Sequence, residues 1–400
     1  MKGRWASTAL GIAVAVSLVF GVLLGVHPRA VAGVLGPNGL SPLAEPAAPV
    51  PTPVVHVTPE TGLNPTKPIT VSVTDGTATA VHVTDPKGKA VAGTLAPDGH
   101  TWTSTGDLAY STTYLVAVDT LDGAHTPGHS DASVSTVAPR AEAYPSFVPA
   151  PNSLPTVGVG QPLVVRFDHA ITDRAAAEKA LTVTTSPAQA GGWYWISNTE
   201  VHYRPQQYWQ PGTAITLKAD LFGVDLGGGT FGSTNRTVSL KVHDAWVAKA
   251  DGATEQMQIF DNGQLVKTMN ISLGSPGFPS HTGPHVISDK QPSIIMDSCT
   301  YGVCAGQPGY YKEKVDLDLR ISNDGEFVHS APWSVGQQGN SNVSHGCVNL
   351  APADAQWFFD HFNVGDVVEI TNSGGPALPV YDTYGDWELS WKDWQAGSAL

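Results

Sequence analysis

Short runs of β-branched residues, separated by turn residues, recur along most of this chain and constrain its fold more than any other feature. Alternating stretches such as Ile69–Val73 and Thr113–Val118 stand between turn steps such as Asp75-Gly76. Alternation with a period of two is typical of strands that bury one face, and 42 Gly and 31 Pro supply the turns. The sequence therefore predicts a mainly β fold with many short strands.

The composition changes along the 400 residues and predicts several domains. Residues 34–53 are rich in Pro and Ala and carry little charge, which is typical of an extended linker. Alternating strands then fill residues 54–138 and, after a Pro-rich joint, residues 139–243. Each of these stretches predicts an immunoglobulin-like β-sandwich. Residues 244–372 continue as strands with one or two helices, and residues 373–400 form a Trp-rich C-terminal extension.

One helix is clear within residues 244–372. It covers Ala351–Asp360, with Pro352 in its first turn and an aromatic face. In the extension, the indoles of Trp387, Trp391 and Trp394 are expected to pack against a neighbouring domain.

The first 33 residues resemble an export signal. Lys2 and Arg4 precede an apolar stretch of about twenty residues, and an Ala30-Val31-Ala32 step follows it. This pattern is typical of a cleaved signal peptide, but the apolar stretch is also long enough to be a membrane anchor. Both alternatives stay open, and both predict an extracytoplasmic location.

The net charge is −14, with 35 acidic and 21 basic residues. This balance argues against binding to nucleic acid or to an anionic membrane surface, because both attract basic patches.

The segment from Ser344 to Asn349 contains the residues that suggest chemistry. Its sequence is Ser-His-Gly-Cys-Val-Asn, and His329-Ser330 lie eighteen positions before Cys347. A lone Cys is more often a small buried apolar residue. Two histidines and a Gly-Cys step in one window favour instead a thiol that an imidazole ionises for acyl transfer.

These residues resemble the signature of the L,D-transpeptidases, which have the YkuD-type catalytic domain. That signature is a His, a long spacer, and then Ser/Thr-His-Gly-Cys-x-Asn, and every fixed position is present here. The resemblance covers residues 244–400. Two immunoglobulin-like domains before a catalytic domain also look like the mycobacterial and other actinobacterial members.

The resemblance implies a role for each motif residue. Cys347 would be the nucleophile, His329 its base, and the Ser330 carbonyl would hold the other ring nitrogen. Backbone N–H groups near Gly346 and Cys347, with the Tyr311 hydroxyl, would surround the oxyanion.

Further positions in the resemblance shape the site and contact substrate. His345 and Asn349 match motif positions that shape the site, and Ser344 is assigned to substrate binding. Met296, Tyr311 and Trp333 would line the substrate path beneath a flap of roughly residues 298–310.

One departure from the family pattern lies in this flap. Cys299 and Cys304 stand five positions apart, where many relatives have no cysteine. A small-loop disulfide, two free thiols, or a zinc site shared with Cys347 are the alternatives, and the C-x2-C spacing of a zinc knuckle is missing.

The resemblance implies a reaction on peptidoglycan stem peptides. A donor tetrapeptide would lose D-alanine to give a Cys thioester, and an acceptor stem would resolve it into a 3→3 cross-link. It also implies acylation by carbapenems. We expect a monomer without a cofactor or metal. A metalloenzyme that uses the His-rich segment is an alternative, but no HxxH or HExxH spacing supports it; the histidines are His281, His285, His329 and His345. The alternatives are an L,D-carboxypeptidase or other wall peptidase, and a non-catalytic peptidoglycan-binding scaffold.

Overall fold

The structure is a computed structural model that describes residues 48–400. The predicted signal peptide or anchor, residues 1–33, and most of the linker lie outside the described residues. Within the described part of the chain, no helix is long and apolar enough to cross a membrane.

The first sandwich pairs a four-stranded sheet with a three-stranded sheet, in the orders β1-β2-β5-β4 and β3-β6-β7. Alternation in the sequence sets its core: Tyr114 and Val116 point inward from β6, while Leu115 between them is 58 % exposed. Val71 and Trp102 of the opposite sheet complete the core. The strands are β1 (Val54–Thr58), β2 (Thr70–Thr74), β3 (Gly76–Thr84), β4 (Gly93–Leu95), β5 (Thr101–Ser104), β6 (Thr113–Asp122) and β7 (Pro127–Ser135).

The second sandwich has a larger aromatic core, with Trp195 and Trp209 among its buried side chains. Its sheets have the orders β12-β13-β10-β9, β11-β14-β16 and β15-β8. The elements are β8 (Ala141–Ala143), β9 (Pro145–Val148), β10 (Leu163–Phe167), α1 (Arg174–Lys179), β11 (Leu181–Ser186), β12 (Gly191–Trp195), β13 (Glu200–Pro205), β14 (Ala214–Asp220), β15 (Thr230–Gly232) and β16 (Asn235–Lys241).

A nine-stranded sheet follows, in the order β20-β25-β17-β18-β19-β24-β23-β22-β21. The helix α2 packs Ala355 and Phe358 into the core of this sheet. The elements are β17 (Trp246–Asp251), β18 (Gln256–Asp261), β19 (Gln264–Ser272), β20 (Gly283–Val286), β21 (Asp289–Asp297), β22 (Lys312–Arg320), β23 (Phe327–Ser330), β24 (Val348–Leu350), α2 (Pro352–His361) and β25 (Val367–Thr371). Two 3-10 helices, Ser298–Tyr301 and Pro332–Ser334, interrupt the connections. The predicted mainly β architecture is confirmed.

The C-terminal extension returns to the second sandwich. It contains a 3-10 helix, Gly385–Glu388, and the helix α3, Trp391–Gln395. The Arg204 guanidinium of β13 lies 4.6 Å from the Trp387 ring and 4.4 Å from the Trp394 ring. The Trp394 indole N–H donates to the Gly192 carbonyl at 2.8 Å. Cation–π and hydrogen-bond contacts therefore fix the extension to this sandwich.

Candidate active site

Two neighbouring parallel strands hold the thiol and the imidazole. In the register of β23 and β24, Val328 lies opposite Val348 and His329 lies opposite Asn349. Side chains alternate between the two faces of a strand, so His329, Asn349 and Cys347 share one face. Val328 and Val348 point to the opposite face and are fully buried in the core. The sheet itself therefore sets how the sulfur and the ring approach each other.

The ring of His329 is held in one tautomer. Its Nδ1 lies 3.0 Å from the Ser330 carbonyl oxygen, so Nδ1–H donates and Nε2 keeps its lone pair. The Asn349 side chain also bonds this ring, and its Nδ2 donates to Ser334 Oγ at 3.0 Å. Burial lowers the pKa of His329 to about 4, although Ser330 and Asn349 act in the opposite direction. The imidazole is therefore neutral at neutral pH and can accept a proton.

The thiol of Cys347 is also neutral at rest. Its pKa is raised to about 12, mainly by burial and also by the negative charges of Glu326 and Asp318. A hydrogen bond from the Phe327 backbone acts in the opposite direction and lowers the pKa. The sequence led us to expect an ionised sulfur, but burial disfavours the charged form of both partners. At rest, the cavity is therefore lined by a neutral thiol, whose Sγ lies 3.7 Å from the Gly325 carbonyl oxygen, and by a neutral imidazole.

The loop before Cys347 is fixed by hydrogen bonds within it. Ser344 Oγ donates to the Cys347 carbonyl at 2.7 Å and accepts from the Gly346 N–H at 3.1 Å. Ser280 Oγ donates to the Gly346 carbonyl at 2.5 Å. Gly346 has a φ of +117°, which side chains with a Cβ rarely adopt. The hydroxyl of Ser344 therefore holds the loop, and the Gly346 N–H that we assigned to the oxyanion is already bonded.

A cavity of about 240 Å³ opens above the shared strand face. The predicted residues Met296, Tyr311, Trp333, Ser344 and His345 line it together with the thiol and imidazole. Ser330 and Gly346 do not line it and contribute through their backbone atoms instead. The lining residues are Met296, Tyr311, Glu313, Val315, His329, Trp333, Ser334, Val343, Ser344, His345, Cys347 and Asn349.

Sequence reasoning missed four of these residues: Glu313, Val315, Ser334 and Val343. The alternation in β22 places Glu313 and Val315 on the same face, which is the signal that points to them. Val343, at 41 % exposure, comes directly before the motif and carries no chemical signal of its own.

A second cavity of about 220 Å³ shares Met296 and Tyr311 with the first. Arg320 and Phe327 are among its other lining residues. Met296 and Phe327 also pack in one cluster with Cys347, so the second cavity borders residues next to the sulfur.

The flap over these cavities is closed by a disulfide between Cys299 and Cys304. Cys347 is a free, buried cysteine. Ser298, at the start of the flap, is bonded to its middle and to the residue after its end: its Oγ donates to the Val303 carbonyl at 2.8 Å and accepts from the Tyr311 N–H at 2.9 Å.

Comparison with known proteins assigns the class. Residues 246–370 match the family described as the L,D-transpeptidase catalytic domain, and residues 60–225 match the bacterial Ig domain. The chain is 41 % identical over 338 residues to L,D-transpeptidase 2 of Mycobacterium tuberculosis, which covers 84 % of this chain and 82 % of the relative. It is 33 % identical over 349 residues to L,D-transpeptidase 5 of the same species, and this match covers 84 % of this chain and 74 % of that relative.

A solved structure of an LD transpeptidase in complex with imipenem is also similar. It shares 32 % identity and a TM-score of 0.51, and the match covers 58 % of this chain and 100 % of that one. The chain belongs to the L,D-transpeptidase family. The predicted family and the predicted combination of immunoglobulin-like and YkuD-type domains are confirmed.

Proposed function

We propose that this chain forms 3→3 cross-links between peptidoglycan stem peptides, with Cys347 as nucleophile and His329 as general base. The observation that carries the proposal is the common face of β23 and β24, which directs the thiol and the neutral imidazole into one cavity. Family membership supports a transpeptidase, and the geometry supports these two residues as its reacting pair.

In the first half-reaction, His329 Nε2 takes the Sγ proton while Cys347 attacks the carbonyl carbon of the third residue of a donor tetrapeptide. The C–N bond to D-alanine breaks, and the same proton passes from Nε2 to the leaving amine. A thioester remains. Because burial penalises both charged forms, proton transfer accompanies the attack and no stable ion pair precedes it.

The negative charge on the carbonyl oxygen needs donors during this step. The Cys347 N–H and the Tyr311 hydroxyl are our candidates, because the Gly346 N–H is bonded to Ser344. Ser344 and Ser280 act through the shape of the loop that presents the Cys347 backbone.

In the second half-reaction, the side-chain amine of an acceptor stem attacks the thioester. His329 accepts a proton from this amine and returns one to the departing sulfur, which restores the thiol. Two cavities that meet at Met296 and Tyr311 would allow donor and acceptor to approach from different sides. We place this reaction in the cell wall, outside the cytoplasmic membrane.

The test uses the full chain with a synthetic donor tetrapeptide and an amine-bearing acceptor stem, and product masses are measured. We expect a cross-linked dimer and free D-alanine, and Cys347→Ser should lose about 10³-fold or more of this activity. If the products contain the hydrolysed tripeptide but no cross-linked dimer, the chain is an L,D-carboxypeptidase instead.

Intact-mass measurement with imipenem gives a second readout. We propose that carbapenems acylate Cys347, so the adduct should form on the parent chain and not on Cys347→Ser. If the folded chain forms no adduct and releases no D-alanine, the proposal is contradicted and a non-catalytic scaffold is favoured.

A further inference from the structure

A second cluster of titratable side chains borders the Gly346 backbone and transfers no proton in the proposed reaction, although Glu326 raises the pKa of Cys347 and Asp324 lines the second cavity. It comprises His281 and His285, before and on β20, and Asp324 and Glu326, in the turn that leads into β23. A Cβ added to Gly346 would lie 3.2 Å from Glu326 Oε1.

Within this cluster Glu326 Oε1 accepts from the His281 backbone N–H at 2.8 Å, but three other side-chain atoms face one another without a hydrogen bond. His281 Nδ1 lies 3.2 Å from Glu326 Oε1 and 3.6 Å from Asp324 Oδ2, and His285 Nε2 lies 3.4 Å from Glu326 Oε2. His281 Nδ1, His285 Nε2 and Glu326 Oε2 are all buried and have no hydrogen-bond partner. Buried polar atoms in this state cost free energy unless something compensates them.

The tautomer of His285 makes a compensating cation favourable. Its Nδ1 lies 3.0 Å from the Gly283 carbonyl, so Nδ1–H donates there, and in the neutral ring the Nε2 lone pair faces Glu326 Oε2 at 3.4 Å. Two acceptors then meet where His285 is fully buried and Glu326 is 5 % exposed. A cation on the Glu326 carboxylate would draw charge from Oε2 and relieve this repulsion.

The distances suit a metal ion of the zinc class. Zinc binds His nitrogen and carboxylate oxygen at about 2.0–2.2 Å in a tetrahedron, which places neighbouring ligand atoms about 3.3–3.6 Å apart. The separations of 3.2 Å and 3.6 Å from His281 Nδ1 agree with this spacing. The ligand atoms of His281, Asp324 and Glu326 all lie within 4.8 Å of one another.

We propose that His281, Asp324 and Glu326 bind one divalent transition-metal ion, with His285 orienting the Glu326 carboxylate from its other oxygen. Ser322 Oγ donates to Asp324 Oδ1, which leaves Oδ2 directed at His281. The Asp324 side chain is 47 % exposed and gives the ion access from solvent. An imidazole ligand selects zinc-like ions over calcium, which prefers oxygen.

The missing HxxH spacing argues only against a metal site built from one short segment, and the site proposed here is not of that kind. Its ligands come from two segments more than forty positions apart, and only the fold brings them together. The site also joins the segment of Ser280, which bonds the Gly346 carbonyl, to the turn before β23.

The test uses the full chain without a polyhistidine tag, carrying Cys347→Ala so that the thiol cannot bind metal. After treatment with a chelator, the protein is titrated with Zn²⁺ by calorimetry and with Co²⁺ by visible absorption. We expect one equivalent of each, d–d absorption from Co²⁺, a higher Tm with Zn²⁺, and no competition from Ca²⁺. Absence of saturable Zn²⁺ binding by the folded protein would overturn the proposal.

Variants in the same background locate the ion. Glu326→Gln and Asp324→Asn should each weaken Zn²⁺ binding about tenfold or more. Asp324→Asn removes an exposed carboxylate and should fold even if Glu326→Gln does not.

The matched control is His129→Gln in the first sandwich. His129 Nδ1 lies 2.7 Å from Asp119 and its Nε2 lies 3.3 Å from Asp131, so its two carboxylates contact opposite ring nitrogens and cannot share one ion with it. This variant should bind Zn²⁺ like its parent. Parental affinity in Asp324→Asn would contradict the proposed ligand set.

Discussion

Two histidines in different parts of the molecule are almost fully buried, but one is neutral and the other is positively charged. His329 on the candidate active-site face is 4 % exposed, and His202 in the second sandwich is 1 % exposed. Burial lowers the pKa of both rings. At His202, however, Asp386 and Glu200 each lie 2.7 Å from a ring nitrogen and raise the pKa to about 9.

The difference lies in the partners. The polar groups that bond His329 are a carbonyl and an amide, which orient the ring without charging it, and its pKa falls to about 4. His202 is a cation between Glu200 of its own strand, β13, and Asp386 of the C-terminal extension. The first arrangement suits the base that we propose, and the second makes a structural contact.

The comparison is tested most strongly by His329→Gln. Removing the neutral acceptor should reduce the rate of Cys347 acylation by imipenem about 10³-fold, because general-base catalysis typically contributes 10²–10⁴. Intact-mass kinetics measure the rate, and thermal melting checks the fold. A variant that acylates at the parental rate would show that His329 is not the base.

The pH dependence of acylation sharpens the same point. Because the pKa of His329 is about 4, the acylation rate should stay near its maximum down to about pH 5 and then fall about tenfold per pH unit below pH 4. Tryptophan fluorescence at each pH serves as the folding control. A midpoint near the ordinary value of about 6.5 would mean that burial does not govern this ring.

For His202→Gln we expect the opposite pattern: lower stability and an unchanged acylation rate. Loss of the cation leaves Asp386 buried without its partner and should lower the free energy of unfolding by about 3 kcal/mol. Imipenem acylation of the folded protein should not change. His169→Gln is the control, because this exposed histidine pairs with Asp168 at 2.9 Å and should cost under about 1 kcal/mol.

Alkaline pH should weaken the parent chain through the same residue. The pKa of His202 is raised in the folded state, so its contribution is complete below about pH 6.5 and is lost as the pH rises through about 9. A difference of about 2.5 pKa units corresponds to about 3 kcal/mol. Denaturant unfolding at pH 6 and pH 9.5 measures this loss, and His202→Gln should show it only weakly. Equal loss in both proteins would assign the effect to other groups.

The smallest effect is expected in the flap. Replacing both Cys299 and Cys304 with Ser opens a loop of about six residues, worth about 2 kcal/mol in the chain-entropy description. We expect the acylation rate to change by no more than about tenfold, because Cys347 and His329 sit on the sheet and not on the flap. Intact-mass kinetics measure it, with reduction of the parent chain as the parallel test. A change of 10³-fold would mean that the flap sets the geometry of the reacting pair.

Much of the site could be predicted because it is local in sequence. The motif around Cys347 and the alternation of strands such as β6 both lie within short windows. The parallel pairing of β23 with β24 could not be derived from alternation, since the two strands pair across the intervening chain. The family resemblance supplied the Cys347–His329 partnership instead.

Protonation states and contacts between residues far apart in the chain could not be predicted from the sequence for a different reason. The pKa values of Cys347 and His329 depend on burial, which only the packed structure determines. The bond between His202 and Asp386 joins positions 184 apart, and nothing near either residue indicates it. The hydroxyl of Ser344 also has a local partner that the motif does not reveal.

The two indoles that enclose Arg204 have a mechanical consequence. The nine-stranded sheet is connected to the second sandwich by the chain near residue 243 and again by the C-terminal extension. The Gly158 N–H also donates to the Val364 carbonyl at 2.9 Å and the Gly160 N–H to the Gly365 carbonyl at 2.8 Å. These contacts restrict the rotation that a single linker would allow, so turning one body against the other would require breaking them and separating the guanidinium from the rings. The direction in which the cavity opens is therefore set by the sandwich that carries it.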